Sequence, residues 1–75
     1  MTLKELLDKK RAVVGRRLLV NKIIKDGTML DEVTVKEVSA DKRYVKLCTP
    51  EFSWSCWFTV EDFDICYKII EMLKG

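Results

Sequence analysis

The sequence predicts a β-rich α+β fold in which an N-terminal helix precedes a small antiparallel β-barrel. The first observation is a helical spacing of apolar residues near the N-terminus. The second is a two-residue apolar period between residues 32 and 58, with turn-forming residues between the apolar groups. The third is a helix-start pattern after residue 58, followed by a further apolar segment. The alternative fold is an antiparallel β-meander packed by two helices, which differs in that last segment.

The chain length predicts one domain over residues 1–75. A domain of 75 residues hides only about 60% of the surface of its unfolded chain, so nearly every large apolar side chain is needed for packing. A composition of 48% hydrophobic and 35% charged residues is typical of a folded globular protein. No apolar run reaches the ~18 residues of a membrane span, and the N-terminus lacks the apolar segment of a signal peptide. We therefore expect a cytoplasmic protein with no membrane partner.

The N-terminal helix is predicted over residues 3–11. Thr2 and Glu5 form a capping box, in which the hydroxyl accepts from the Glu5 N–H and the carboxylate reaches back to the Thr2 N–H. The leucines at positions 3, 6 and 7 share one face. Gly15 follows as the residue near which the helix ends.

Four strands are predicted next, although a second helix is the alternative for the first of them. Residues 17–24 are apolar and β-branched, and Asp26 and Gly27 then form a turn dipeptide. The later strands are predicted over residues 32–38, 43–49 and 54–58, with turns at residues 39–42 and 50–51. Lys36 and Glu37 interrupt the alternation together, which predicts a β-bulge.

The C-terminal segment begins with a second capping box from Thr59 to Asp62. A helix that continued to the C-terminus would place Ile65 and Met72 on its polar face. The sequence therefore favours a one-turn helix followed by a strand over residues 65–72, which would pair with the first strand and close the sheet. The predicted core consists of Val33, Val35, Val45, Leu47, Phe58 and Phe63, with Leu3, Leu6 and Leu7 over one end of the barrel.

This order of elements resembles the Src-homology-3-like small β-barrel, a superfold shared by Tudor and Sm-like domains. The resemblance is carried by the Asp26-Gly27 turn, the meander from Glu32 to Phe58 and the segment 57–63. The sequence has neither the acidic ligand loop and paired aromatics of the peptide-binding members nor the motifs of the Sm-like members. The resemblance therefore implies an architecture and no site residues.

The residue types exclude several chemistries. The chain has no histidine, which removes the commonest general base and every Ser-His or Cys-His nucleophile pair. Cys48, Cys56 and Cys66 lack the close spacing of zinc ligands, and their odd number favours a reducing compartment. We expect no metal site, no cofactor, no catalytic residue and buried thiols. Glu61, Asp62 and Asp64 are explained by the preference for negative charge in a first helical turn.

Charge is distributed unevenly along the chain. Residues 1–28 contain eight basic and three acidic residues, whereas residues 29–75 contain six basic and nine acidic residues. A basic N-terminal ridge that would contact phosphates consists of Lys9, Lys10, Arg11, Arg16 and Arg17, extended by Lys22 and Lys25 if they share its face. The alternative is a solvated helix flank whose cations complement the helix dipole.

Aromatic residues give the second indication of a binding surface. Alternation places Trp54 and Trp57 on opposite faces of one strand, so one of them lies outside. An exposed Trp57 beside Tyr44 and Lys46 would stack on a base or a peptide side chain. The alternative is that Trp57 packs beneath the N-terminal helix.

The sequence thus predicts a non-enzymatic interaction module that acts through protein contacts or homo-oligomerisation. The alternative function is nucleic-acid binding by a small β-barrel through the basic N-terminal ridge. One asparagine and no glutamine are typical of heat-adapted composition.

Overall fold

A computed structural model describes residues 1–48 and 55–73, which form an α+β fold. The elements in chain order are α1 (Leu3–Asp8), β1 (Arg17–Ile24), β2 (Gly27–Val38), β3 (Tyr44–Cys48), β4 (Cys56–Thr59), α2 (Val60–Cys66) and β5 (Tyr67–Leu73). The predicted turn at residues 50–51 and the side chain of Trp54 lie outside the described residues. Neither helix of the described residues has the length and apolar character needed to cross a bilayer.

The five strands form one antiparallel sheet in the order β4-β3-β2-β1-β5. As predicted, the last strand pairs with the first. The sheet is nevertheless not closed, since β4 and β5 are its two edges and do not pair with each other in the described residues. Helix α2 contacts β4, β5 and β1 and so lies where the closing pair of strands would be. The predicted barrel closure is therefore not confirmed.

Helix α1 ends three residues earlier than predicted because the chain turns into the left-handed region at Lys10, whose φ is 57°. The Arg11 N–H donates to the Leu6 carbonyl (2.9 Å), and the Lys10 N–H donates to the Leu7 carbonyl (3.0 Å). These two bonds form a Schellman motif, which terminates a helix at the residue before its C-cap. Asp8 is accordingly the last helical residue.

Both predicted helix starts are confirmed. The Glu5 N–H donates to the Thr2 hydroxyl oxygen (3.1 Å), and the Asp62 N–H donates to that of Thr59 (3.0 Å). The Glu5 carboxylate accepts from the Thr2 hydroxyl (3.2 Å) instead of the expected backbone N–H. Helix α2 extends over seven residues rather than one turn, so β5 begins two residues later than predicted.

The first strand has its predicted bounds, whereas the second is longer than predicted. Ile24 pairs with Gly27, so the turn consists of residues 25–26 instead of Asp26 and Gly27. Strand β2 begins at Gly27, five residues before the predicted start. Strand β2 ends at Val38 as predicted. The described bounds of β3, β4 and β5 differ from the predicted ones by one or two residues.

Two register shifts interrupt the ladders within residues 1–48 and 55–73. One lies between Val35 and Glu37 in β2, at the predicted bulge. The other was not predicted and leaves Ile70 of β5 as an extra residue, since Leu19 pairs with Glu71 and Val20 pairs with Ile69.

The core contains both the predicted residues and a set from the strands that flank them. Five of the six predicted sheet-and-helix residues are buried, as are the three leucines of α1. Phe58 is only partly buried because it lies on the short edge strand β4. The buried apolar residues are Leu3, Leu6, Leu7, Val13, Leu18, Val20, Val33, Val35, Val45, Leu47, Val60, Phe63, Tyr67 and Ile69.

Candidate interaction surfaces

The turn end of the β1–β2 hairpin extends beyond the strands that flank it. Within the described residues, β5 pairs with β1 only as far as Lys22, and β3 pairs with β2 only from Thr34. Residues 23–30, which we term the hairpin tip, therefore lie beyond the pairings that the described residues of β3 and β5 make. The large apolar side chains of the tip are 41% to 64% exposed; they are Ile23, Ile24, Met29 and Leu30.

The hairpin tip is apolar on both faces. Ile23 and Leu30 follow the alternation of the outer face, whereas Ile24 and Met29 follow that of the core-side face. Both pairs remain 41% to 64% exposed, so neither α1 nor α2 buries them. The tip is thus an apolar projection from a small domain.

The charged residues around the tip differ between its two arms. Lys22 and Lys25 lie on the β1 side, and Asp31 lies on the β2 side. Asp26 occupies the turn between them. One arm is therefore basic and the other is acidic.

Sequence reasoning missed this surface, although the sequence contains a signal for it. Adjacent apolar residues in a strand point to opposite faces, so they cannot both enter one core. Ile23-Ile24 and Met29-Leu30 are two such adjacent pairs, placed symmetrically about the turn. The prediction that β2 begins at residue 32 left the second pair outside any strand.

A second surface lies on the outer face of β3 and β4. Trp57 pairs directly with Lys46, and Tyr44 precedes Lys46 by two residues, so the three side chains share a face opposite the buried Val45 and Leu47. Trp57 is 50% exposed and Tyr44 is 47% exposed. The Lys46 Nζ atom lies 6.0 Å from the centroid of a Trp57 ring, at the outer limit of a cation–π contact. We term these three residues the aromatic face; Trp57 does not pack beneath α1.

The β2–β3 turn beside the aromatic face is held by its own side chains. Asp41 Oδ1 accepts from the Ser39 hydroxyl (2.6 Å) and from the Arg43 N–H (3.0 Å). The Ser39 hydroxyl oxygen in turn accepts from the Tyr44 N–H (3.0 Å). The hydrogen bond from Ser39, followed by that from the Arg43 backbone, lowers the pKa of Asp41 below its ordinary value. The turn thus fixes the start of β3 and the backbone of Tyr44.

The structure does not bring the predicted basic N-terminal ridge onto one face. Arg16 is half-buried, and its Nε donates to the Leu73 carbonyl (3.2 Å). Arg17 forms an ion pair with Glu32 (3.0 Å). Five residues separate Arg17 from Lys22, so alternation places their side chains on opposite faces of β1.

The remaining predicted contact residues of the ridge are distributed over two ends of the molecule. Lys9, Lys10 and Arg11 are exposed and follow α1, where they form the helix terminus described above. Lys25 lies in the turn of the hairpin tip, at the far end of β1 from Arg17. A phosphate backbone would therefore meet at most part of this set at once.

The acidic residues of α2 include one with a clear structural role. Asp64 Oδ1 accepts from the Leu3 N–H (2.7 Å), and Asp64 Oδ2 accepts from the Lys4 N–H (3.1 Å). These backbone groups belong to the first turn of α1 and have no partner within that helix. Asp64 therefore attaches α1 to α2 through a carboxylate placed at the N-terminus of a helix.

A shallow groove separates α1, α2 and the β2–β3 turn. Its lining mixes both signs of charge and includes Lys4, Asp8, Lys42, Arg43, Glu61 and Ile65. The groove offers no single sign of charge to a ligand.

The cysteines differ in their exposure. Cys48 and Cys56 are half-buried on β3 and β4, whereas Cys66 is exposed at the end of α2. The prediction that the thiols are buried is wrong for Cys66, because residues 65 and 66 are helical and turn away from the sheet.

Comparisons with protein-family models, with curated proteins and with solved structures gave no match for this chain.

Proposed function

We propose that this protein is a non-enzymatic interaction module that associates with a second copy of itself through the hairpin tip. The observation that supports the proposal is the pair of two-sided apolar arms that project beyond the packed sheet. Exposed apolar surface that is contiguous is typical of protein interaction sites. Isolated exposed side chains would not carry the same weight.

A second copy fits the charges of the tip. A two-fold interface brings the same surface of both subunits together, so each arm of one copy meets the opposite arm of the other. In this arrangement Lys22 and Lys25 of one copy face Asp31 of the next. Glu32 forms an ion pair with Arg17 and therefore does not contribute to these contacts between the two copies. The tip is therefore complementary to itself in charge.

The energetics predict weak association. Full burial of an Ile, Leu or Met side chain contributes about 1.5–3 kcal/mol, so four half-exposed side chains on each of two copies contribute roughly 6–12 kcal/mol. Loss of translational and rotational freedom costs about 4–15 kcal/mol. The most favourable balance, about 8 kcal/mol, corresponds to a dissociation constant of about 1 µM, and smaller balances correspond to weaker association.

The SH3-like architecture and the cytoplasmic location are part of the proposal. A short helix precedes the last strand, and the last strand pairs with the first; both features support the architecture. The open edge between β4 and β5 departs from a closed barrel. The odd number of cysteines supports a reducing compartment.

Sedimentation velocity over a range of concentrations tests the self-association. We expect Leu30→Asp to abolish the concentration dependence, because it places a carboxylate in the centre of the interface. Ile65→Asp is the matched control, since Ile65 is 63% exposed and Leu30 is 64% exposed. A wild-type protein that stays monomeric into the millimolar range, or equal effects of the two substitutions, would reject the proposal.

A charge exchange tests the two-fold arrangement separately. Lys22→Glu/Lys25→Glu and Asp31→Lys variants should each associate less well alone than the wild type. Their equimolar mixture should recover association, because opposite charges then meet across the interface. Association that is lost in both variants and not recovered on mixing would contradict the arrangement.

The basic N-terminal ridge remains the basis of the alternative function, nucleic-acid binding. Contact of a nucleic-acid backbone by five cations predicts a log-log salt slope of about −3 to −5, and Arg16→Ala/Arg17→Ala should flatten that slope by about 2. The hydrogen bond of Arg16 and the ion pair of Arg17 weigh against this alternative.

A further inference from the structure

We infer that the aromatic face is a binding site for single-stranded nucleic acid, with bases stacked on Trp57 and Tyr44 and a phosphate near Lys46. This site is distinct from the hairpin tip and does not depend on self-association. It also differs from the basic N-terminal ridge, because it contacts unpaired bases as well as the phosphate backbone of the nucleic acid.

The spacing of the two rings suits neighbouring bases. Trp57 pairs with Lys46 and Tyr44 pairs with Thr59, so Tyr44 and Trp57 are diagonal neighbours across the β3–β4 ladder. Diagonal neighbours of an antiparallel pair lie about 7–8 Å apart. Two consecutive bases that are unstacked from each other can each meet one ring, as occurs on sheet surfaces that bind single strands.

The two platforms are held at their positions by the fold. The Ser39 hydroxyl oxygen accepts from the Tyr44 N–H, and the Val60 N–H donates to the carbonyl of Arg43 (2.8 Å). The backbone at the start of β3 is therefore tied both to its turn and to α2. An aromatic side chain on a fixed backbone loses little freedom when a base stacks on it.

The local charge favours an anionic ligand. Near the two rings, Lys46 and Lys36, the extra residue of the β2 bulge, outnumber one acid, Glu37, which pairs directly with Lys46. The carboxylate of Asp41 is directed into the turn by its bonds to Ser39 and Arg43. The Lys46 ammonium group lies over the Trp57 ring, so a base that stacks there would displace it toward the phosphate that joins the two bases.

A duplex does not fit the same face. Duplex bases are stacked on each other, and their edges are read by an element that enters a groove. Trp57 and Tyr44 lie on the surface of a sheet, where only bases that have left the stack can cover the rings.

Fluorescence anisotropy with labelled dT12 and rU12 tests the inference. Loss of stacking on one ring reduces affinity about 5- to 100-fold, so we expect Trp57→Ala and Tyr44→Ala each to raise the dissociation constant within that range. Trp57→Phe keeps a stacking ring and should change it less than about threefold. Contact of Lys46 with one phosphate of a single strand predicts a log-log salt slope of about −0.7.

Two controls separate this site from the other surfaces. Lys9→Ala/Lys10→Ala removes two cations from the predicted ridge, and Leu30→Asp removes the apolar tip; neither should alter the stacking contribution of Trp57. Circular dichroism of each variant confirms that the fold is retained.

Several outcomes would overturn the inference. The first is no binding to either probe at about 100 µM protein, which is the weak end of non-specific affinity. The second is equal affinity for a 12-base-pair duplex. The third is unchanged affinity in Trp57→Ala. If Lys9→Ala/Lys10→Ala abolished binding and Trp57→Ala bound like the wild type, the basic N-terminal ridge would be the binding site instead of the aromatic face.

Discussion

The two ends of the β1–β2 hairpin have similar residue types and opposite environments. At the helix-covered end, Leu18 and Val20 pair across to Val33 and Asp31, and the apolar members are fully buried. At the hairpin tip, residues 23, 24, 29 and 30 are equally apolar and lie in the same two strands, but they are exposed. The difference is whether a neighbouring strand and a helix cover that part of the ladder.

This difference shows that β-forming residues specify pairing without specifying burial. Strand propensity reflects how well a side chain fits a pleated surface, and packing against further elements decides whether that surface is dry. The described residues contain two short helices, and neither covers residues 23, 24, 29 and 30. The apolar residues left at the other end are available for a partner.

The largest expected effect comes from replacing a leucine by alanine, in separate variants, at each end of the hairpin. Leu18→Ala should lower the free energy of unfolding by about 2–5 kcal/mol, because it leaves a cavity in the core. Leu30→Ala should change it by about 0.5 kcal/mol or less, since the side chain is already in water. Urea unfolding followed by circular dichroism, at protein concentrations below any self-association, measures both. Similar losses of stability at the two positions would show that the tip is packed and that the two ends of the hairpin do not differ.

A smaller effect is expected at the carboxylate that attaches α1 over the covered end. Asp64→Ala should destabilise the protein by about 1–3 kcal/mol, because two backbone N–H groups of α1 lose a charged acceptor. Glu61→Ala is the matched control from the same helix and should cost about 0.5 kcal/mol or less. Amide hydrogen exchange should accelerate at Leu6 and Leu7 in the first variant and remain unchanged in the second. Equal exchange in both would mean that α1 is held by its leucines alone.

The smallest effect concerns the turn at the covered end. The hydrogen bonds from Ser39 and from the Arg43 backbone lower the pKa of Asp41, so the folded state favours the ionised carboxylate. The resulting stabilisation is present above pH about 4 and is lost as the pH falls through the lowered pKa of the folded state. We expect Ser39→Ala to raise the pKa of Asp41 toward its ordinary value in a carboxyl NMR titration. An unchanged pKa would assign the shift to the backbone of Arg43.

Local sequence signals predicted most of the fold. The two N-cap hydrogen bonds, the first strand and the bulge near Lys36 depend on interactions between close residues, and each was predicted correctly. The end of α1 was missed because a lysine occupies the left-handed position that glycine usually fills. Closure of the sheet was not predictable from local signals, since it depends on how α2 packs against β4, β5 and β1.

The candidate surfaces were predicted less completely. Alternation was sufficient to place Tyr44, Lys46 and Trp57 on one face, because the β3–β4 pairing keeps a simple register. The basic ridge was inferred from closeness in sequence, which says nothing about which face of a strand a side chain takes. The hairpin tip was not predicted because its exposure depends on tertiary packing, such as the point at which β5 stops pairing with β1.

The extra residue at Ile70 has a consequence for how this protein behaves at high concentration. An open sheet offers its outermost strands as templates on which further chains can add, and that growth leads to fibres. Strand β5 has seven residues, but its ladder shifts at Ile70, so an incoming strand would meet a broken row of N–H and C=O groups. Strand β4 has only four residues. Concentrated solutions should therefore contain small closed assemblies instead of filaments.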